Sequence, residues 1–226
     1  MPDPDVVDGA ILSNAADHLH AVFRAPGRPA NTNPATTLSN ADPAGDLSGD
    51  GGTSGALLHG DCLDVMARLL RPDGAIFYNH KWRVQKGLLQ DRQDIVAGFP
   101  VRQVIIWHRS GGINFNPGYF LPNYEVIYLI AKKDFTLAPK ANALGSVWRI
   151  SQKTGNPHPA PFPPDLVRNC LTAVDQGPVL DPFIGSGTTA VVAKERGLDW
   201  VGIDVSASYL DMAATRIAAA RRGAAE

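Results

Sequence analysis

The chain has 226 residues, 44% of them hydrophobic and 19% charged, with 21 basic against 22 acidic side chains. That length supports one α/β domain or two small ones, with enough apolar material for a real core. The composition excludes collagen-like, coiled-coil and disulfide-scaffold proteins, and no apolar run, residues 125–131 included, approaches the ~20 residues of a membrane span.

The near-zero total charge hides a gradient. Residues 1–55 hold seven Asp against Arg24 and Arg28, net −5, whereas residues 81–153 hold eleven Lys or Arg against Asp91, Asp94, Glu125 and Asp134, net +7. A basic block interleaved with Trp82, Trp107, Tyr119, Tyr124 and Trp148 suits a polyanion, because clustered Lys and Arg displace counterions from phosphates. The opening Met1-Pro-Asp-Pro-Asp5 has the wrong charge for a signal peptide. Cys62 and Cys170 lie in apolar surroundings typical of reduced, buried thiols. A soluble cytoplasmic protein without membrane attachment is the expectation.

In chain order, residues 11–23 read as a short helix capped at Ser13 or Asn14. Residues 26–55 are rich in Pro, Gly, Asn, Thr, Ser and Asp and poor in apolar side chains, so residues 1–55 read as an acidic, largely flexible segment. Globular texture begins at Ala56, with a strand at 56–59 and helical spacing of Leu63, Met66, Ala67 and Leu70. Arg71-Pro-Asp-Gly74 is a turn before a strand at 75–78. Residues 101–107 and 125–131 are further strands of buried-sheet composition, joined by a loop rich in glycine, asparagine and aromatics. Pro163-Pro164 opens a helix running to about Val174.

The remainder reads strand (178–181), glycine turn, helix (188–196), strand (200–203) and helix (208–220). That alternation marks a doubly wound, mostly parallel α/β sheet. Gly185-Ser-Gly-Thr-Thr-Ala190 fits the relaxed pattern G-x-G-x-x-[G/A], and Asp204 closes the second strand, where an acid can hold ribose hydroxyls. NAD, FAD and S-adenosylmethionine all suit such a turn. Asp181 before it favours a cationic sulfonium-amine cofactor over a pyrophosphate, which it would repel.

Asp181-Pro-Phe-Ile-Gly-Ser-Gly-Thr-Thr189 resembles the D-P-F-x-G-S-G-T-T signature of DNA methyltransferases that make N6-methyladenine or N4-methylcytosine. Asn156-Pro-His-Pro-Ala-Pro-Phe-Pro163 is similar to the element preceding it there. Gly60-Asp-Cys-Leu-Asp64 and Arg71-Pro-Asp-Gly74 resemble segments that open the permuted, beta-class order. The likeness covers about residues 56–220 and implies a Rossmann-like methyltransferase domain over 56–226, with a DNA-facing block at 81–153 and a cofactor unit at 156–220. It implies S-adenosylmethionine as cofactor, held by Asp61, Cys62, His158, Asp181, Pro182, Phe183, Gly185, Ser186, Gly187, Thr188 and Asp204. It also implies double-stranded DNA with a flipped target base as partner. Lys81, Arg83, Lys86, Arg109, Asn116 and Tyr119 are the DNA-facing candidates, restriction-modification is the setting, and no metal is expected.

One element is missing. The family's catalytic tetrapeptide, [Asp/Asn/Ser]-Pro-Pro-[Tyr/Phe/Trp], occurs nowhere in the chain, so no catalytic residue is assigned. The family places it at the end of a strand soon after the Gly60–Asp64 segment, and residues 66–74 leave no room for that strand. Asn116-Pro-Gly-Tyr119 keeps only its polar and aromatic ends. The sheet is therefore expected to lack a central strand, an opening that favours homodimerisation and that residues 5–12 could fill. A non-catalytic cofactor- or DNA-binding relative is the alternative reading, and a methyltransferase acting on RNA, protein or a small molecule is a third.

Overall fold

The computed structural model describes residues 10–15, 18–21, 62–91, 93–111, 114–151, 162–174 and 178–221, the first two stretches through their backbone. Runs of aliphatic and aromatic residues make the middle of one large sheet: β3 (Ala75–His80), β6 (Val101–His108) and β7 (Tyr124–Ala131). β1 (Ala10–Ala15), β2 (His18–Ala21), β8 (Val147–Arg149), β9 (Val179–Asp181) and β10 (Trp200–Gly202) complete it. The order is β10-β9-β1-β3-β7-β6-β8, with β2 beside β1. Along that order β7 alone is antiparallel to its neighbours; the other six strands run one way.

Alternation along the strands feeds two cores. Ile76, Tyr78, Val126, Tyr128 and Ile130 meet Leu63, Met66 and Leu70 of helix α1 (residues 62–69) and its end, together with Ile95 and Val96 of α2 (Gln93–Val96). On the opposite face, Phe77, Ile105, Trp107, Ile127 and Leu129 join a cluster with α3 (Pro164–Thr172) and α4 (Thr188–Glu195). Pro164 opens α3 in its first turn, where no backbone N–H is needed. Cys170 lies in this second core, and burial pushes its thiol well above the ordinary range. The doubly wound architecture is as expected.

The N-terminal segment departs from expectation. Residues 10–15 and 18–21 are strands, not the helix read over 11–23. β1 lies parallel between β9 and β3, with Ala10 beside Leu180 and Ala10–Leu12 in register with Ile76–Tyr78. The central opening is therefore filled, partly by the run proposed for it, and the reason for expecting a homodimer loses its premise. β3 pairs with Ala10–Leu12, β9 with Ala10 and the antiparallel β2 with Leu12–Ala15, and that pairing outweighs the weak helical preference of so short a run. A hairpin of β4 (Arg83–Gln85) and β5 (Leu88–Gln90) was also not anticipated; its turn uses left-handed Lys86 and Gly87.

The six parallel strands end on one edge. In open α/β sheets that carboxyl edge is where ligands bind.

Candidate functional site

β9 delivers buried Asp181 to the carboxyl edge, and the chain then turns through residues 182–187 into α4. Asp181 Oδ1 accepts the Phe183 N–H at 3.0 Å. Ile203 donates its N–H to the Asp181 carbonyl and Ile184 donates to the Ile203 carbonyl, both at 2.8 Å, so the turn is laced to the strand beside it. Gly187 has φ 82, and a Cβ placed there would stand 2.8 Å from the Ala213 Cβ of α5 (Ala207–Ala219). Only glycine combines that backbone with so close a helix.

Asp204, just beyond β10, accepts the Gly185 N–H at 2.8 Å through Oδ2 and the Ser206 N–H at 2.8 Å through Oδ1. A carboxylate offers about four lone-pair positions, so two stay available to hydroxyl donors. Asp181 and Asp204 thus bracket the glycine turn with negative charge, an environment suited to a cation and hostile to a diphosphate.

Arg216 of α5 was not among the sequence candidates. Its Nη1 donates to Ser186 Oγ at 2.6 Å, to the Ser186 carbonyl and to Thr188 Oγ1 at 3.3 Å, fastening the turn from below. The available signal was one arginine in an alanine-rich helix. Ser186 and Thr188 are buried, while Pro182 and Phe183 are half-buried, Phe183 against the α1-side core. Cys62, half-buried, opens α1. Asp61 and His158 lie outside the described residues, as do the 56–59 strand and residues 26–55.

A second polar cluster sits farther along the same edge. Arg109 Nη1 meets Glu125 Oε1 at 3.1 Å, with side chains 16% and 4% exposed. The guanidinium lies 5.9 Å from the Trp107 ring centroid. Asn79 donates its amide to the Val126 carbonyl at 3.0 Å. Burial pushes the Glu125 carboxyl above the usual carboxylate range, against the opposing pull of Arg109, Lys81, the Asn79 amide and Arg83. Among the described residues, Glu125 Oε2 and Asn79 Oδ1 accept no hydrogen bond. Sequence reading named Arg109 only as a DNA-facing candidate and passed over Glu125 and Asn79; the signal was a lone acid at the head of an apolar strand.

Lys81 and Arg83 lie at the start of the β4–β5 hairpin, half-buried, and Lys86 is exposed at its turn. Arg109 is turned inward onto Glu125. Asn116 and Tyr119 stand on the β6–β7 loop beside a shallow hollow of about 420 Å³. Asn116 Oδ1 accepts the Gly118 N–H at 2.8 Å within that loop. β1 and β3 separate β7 from β9, which sets the root of this loop about 14 Å from the glycine turn. Among the described residues no cluster of His, Cys, Asp and Glu could hold a metal, and no helix is long and apolar enough to cross a membrane.

A family model described as DNA methylase, covering N6 and N4 methyltransferases, matches residues 58–215. A type II methyltransferase of Lactococcus lactis subsp. cremoris, M2.LlaDCHI, is 30% identical over 176 residues, 67% of this chain and 63% of that protein. M.XycI of Xanthomonas campestris pv. cyanopsidis is 40% identical over 172 residues, 66% of this chain and 54% of that one. The chain spans between about half and two thirds of the length of these two relatives. The PvuII cytosine-N4-specific DNA methyltransferase superposes with a TM-score of 0.60 at 17% identity, covering 81% of this chain and 76% of its own. The M1.HpyAVI–SAM complex does so at 0.57 and 22%, covering 70% and 81%.

Proposed function

The chain belongs to the N6/N4 DNA methylase family, and on that premise we propose that it binds S-adenosylmethionine at the glycine turn and methylates an exocyclic amine of adenine or cytosine in DNA. The observation that carries the reading is the Asp181–Thr189 signature folded between two acid-ended parallel strands at the ligand-binding edge. The cofactor supplies an electrophilic methyl group on a sulfonium centre. Asp181 holds its ammonium end through charge, and Asp204 accepts the ribose hydroxyls with the lone pairs its two amide contacts leave over. Gly185, Ser186, Gly187 and Thr188 give it a close backbone floor, kept in place by Arg216. Pro182 and Phe183 flank it, and the family resemblance assigns Asp61 and Cys62 to the adenine end and His158 to the methionine end. The basic block at 81–153 receives the phosphates of double-stranded DNA, and the target base is flipped toward the edge for reaction.

One observation favours a second reading, a relative that binds cofactor or DNA without transferring a methyl group. β1 lies between β9 and β3 in this sheet, its register with β3 runs through Leu12 beside Tyr78, and Ser13 and Asn14 follow toward the carboxyl edge. Ser13-Asn-Ala-Ala16 is not the family's tetrapeptide.

The deciding experiment measures labelled methyl transfer from S-adenosylmethionine to unmethylated DNA, with cofactor binding by calorimetry in parallel. Binding and transfer, both lost in Asp181→Ala, are expected. Binding without transfer by folded protein selects the second reading. Absence of cofactor binding refutes both assignments of the glycine turn.

A further inference from the structure

β6 and β7 are adjacent antiparallel strands, yet residues 109–123 join them, where a hairpin needs only about two to five residues. The excess is not slack. Asn114 Oδ1 accepts the Asn116 N–H at 3.0 Å, and Asn114 Nδ2 donates to the Tyr119 carbonyl at 2.7 Å, tying the tip across itself. At the root, Arg109 donates its backbone N–H to the Asn123 carbonyl at 2.7 Å while its guanidinium is held by buried Glu125. Ser110 is bonded to Ser151 at 2.8 Å.

This bracing presents apolar surface outward. Phe115 is 91% exposed and Phe120 98% exposed. Two phenylalanines left in water by an internally bonded loop forgo the gain of burial, which a partner's apolar surface would recover. The partner's charge is set by the neighbourhood. The β4–β5 hairpin, which follows β3 at the same edge, carries Arg83 and exposed Lys86, and β8 beside β6 carries exposed Arg149. An apolar tip on a sheet edge that also carries these cations fits a polymer with stacked apolar rings inside a phosphate shell.

We propose that the 109–123 loop is a wedge that enters the base stack of duplex DNA, Phe120 leading and Phe115 beside it, and so lowers the cost of extruding the target base. This rests on the DNA reading above and adds to it a specific device for opening the duplex. Apolar wedges between base steps are a known way of unstacking a duplex.

The test uses the full chain and two synthetic duplexes of one sequence, fully paired and with a single abasic position beside 2-aminopurine. Wild-type protein is expected to bind the abasic duplex about tenfold more tightly, since its unstacking is already done, with a rise in 2-aminopurine fluorescence. Phe115→Ala/Phe120→Ala is expected to lose the preference and the fluorescence rise while keeping its melting temperature. Phe120→Trp is expected to retain both signals. Equal wild-type binding to both duplexes, or a preference that survives the double alanine change, overturns the wedge and leaves the DNA reading standing. Failure of folded protein to bind either duplex overturns both. Concentration-dependent dimers that the alanine changes dissolve, with no duplex preference, assign the tip to a second copy and overturn the wedge.

Discussion

Replacing Arg109 by methionine isolates the energetics of the second polar cluster. Glu125 is almost fully buried, and the guanidinium 3.1 Å from Oε1 is the first-ranked charge opposing its desolvation. Without it the carboxylate either stays ionised in a dry site or takes up a proton. The second route caps the penalty at the work of protonation, about 1.36 kcal/mol for each pH unit above the ordinary pKa. From the usual value of 4.5, that cap is about 4 kcal/mol near pH 7.5 and about 1.4 kcal/mol near pH 5.5. The sign follows from the raised folded pKa: the folded state holds the proton more tightly than the unfolded chain, so stability falls as pH rises from 4.5 through the folded value. Removing Arg109 widens that window upward. Because the raised pKa means that wild type already bears part of this penalty, urea denaturation of wild type and Arg109→Met should show a loss below those caps, larger near pH 7.5 than near pH 5.5. Adding Glu125→Gln should return most of the loss at high pH. An equal loss at both values, or none at the higher, would refute the account of Glu125 as a desolvated acid whose charge Arg109 chiefly offsets.

Two further outcomes test the sheet and the turn. Ile11→Pro removes an N–H from an interior strand that pairs with β3 at that position, at a cost of about 1–3 kcal/mol; hydrogen exchange should show amides 10–12 protected in wild type and protection of 75–78 reduced in the variant. Unprotected wild-type amides at 10–12 would place β1 outside the sheet. Gly187→Ala forces a left-handed backbone on alanine and sets its Cβ against Ala213, for a combined loss of about 2–4 kcal/mol. Ala213→Gly in the same chain should recover the steric part and leave the backbone part, which separates the two causes by denaturation midpoint.

Legibility in the sequence followed the range of the interactions involved. The strand, glycine turn and helix from Val179 to Glu195 could be read directly, because the apolar run, the left-handed glycines and the acid at the strand end are all local requirements of one short segment. The same holds for β3, β6 and β7, whose composition suits burial wherever they are placed. The sequence by itself determined that this is a doubly wound domain, that its last unit carries an acid-bracketed glycine turn, and that the tetrapeptide is missing.

What occupies the centre of the sheet is a non-local question. Residues 10–15 are too short a run to declare a strand by themselves, and they become one because β3 pairs with Ala10–Leu12, β9 with Ala10 and the antiparallel β2 with Leu12–Ala15. Arg216 and Glu125 belong to the same class: each is one charged residue in an apolar stretch, and its meaning depends on Ser186, 30 residues away, or Arg109, 16 residues away. Likewise the exposure of Phe115 and Phe120 cannot be read from their neighbours, since either would serve a core as well as a tip. Tertiary structure decided these points because burial, pairing and exposure are properties of the assembled surface, whereas turn geometry and strand composition are carried by the chain segment itself.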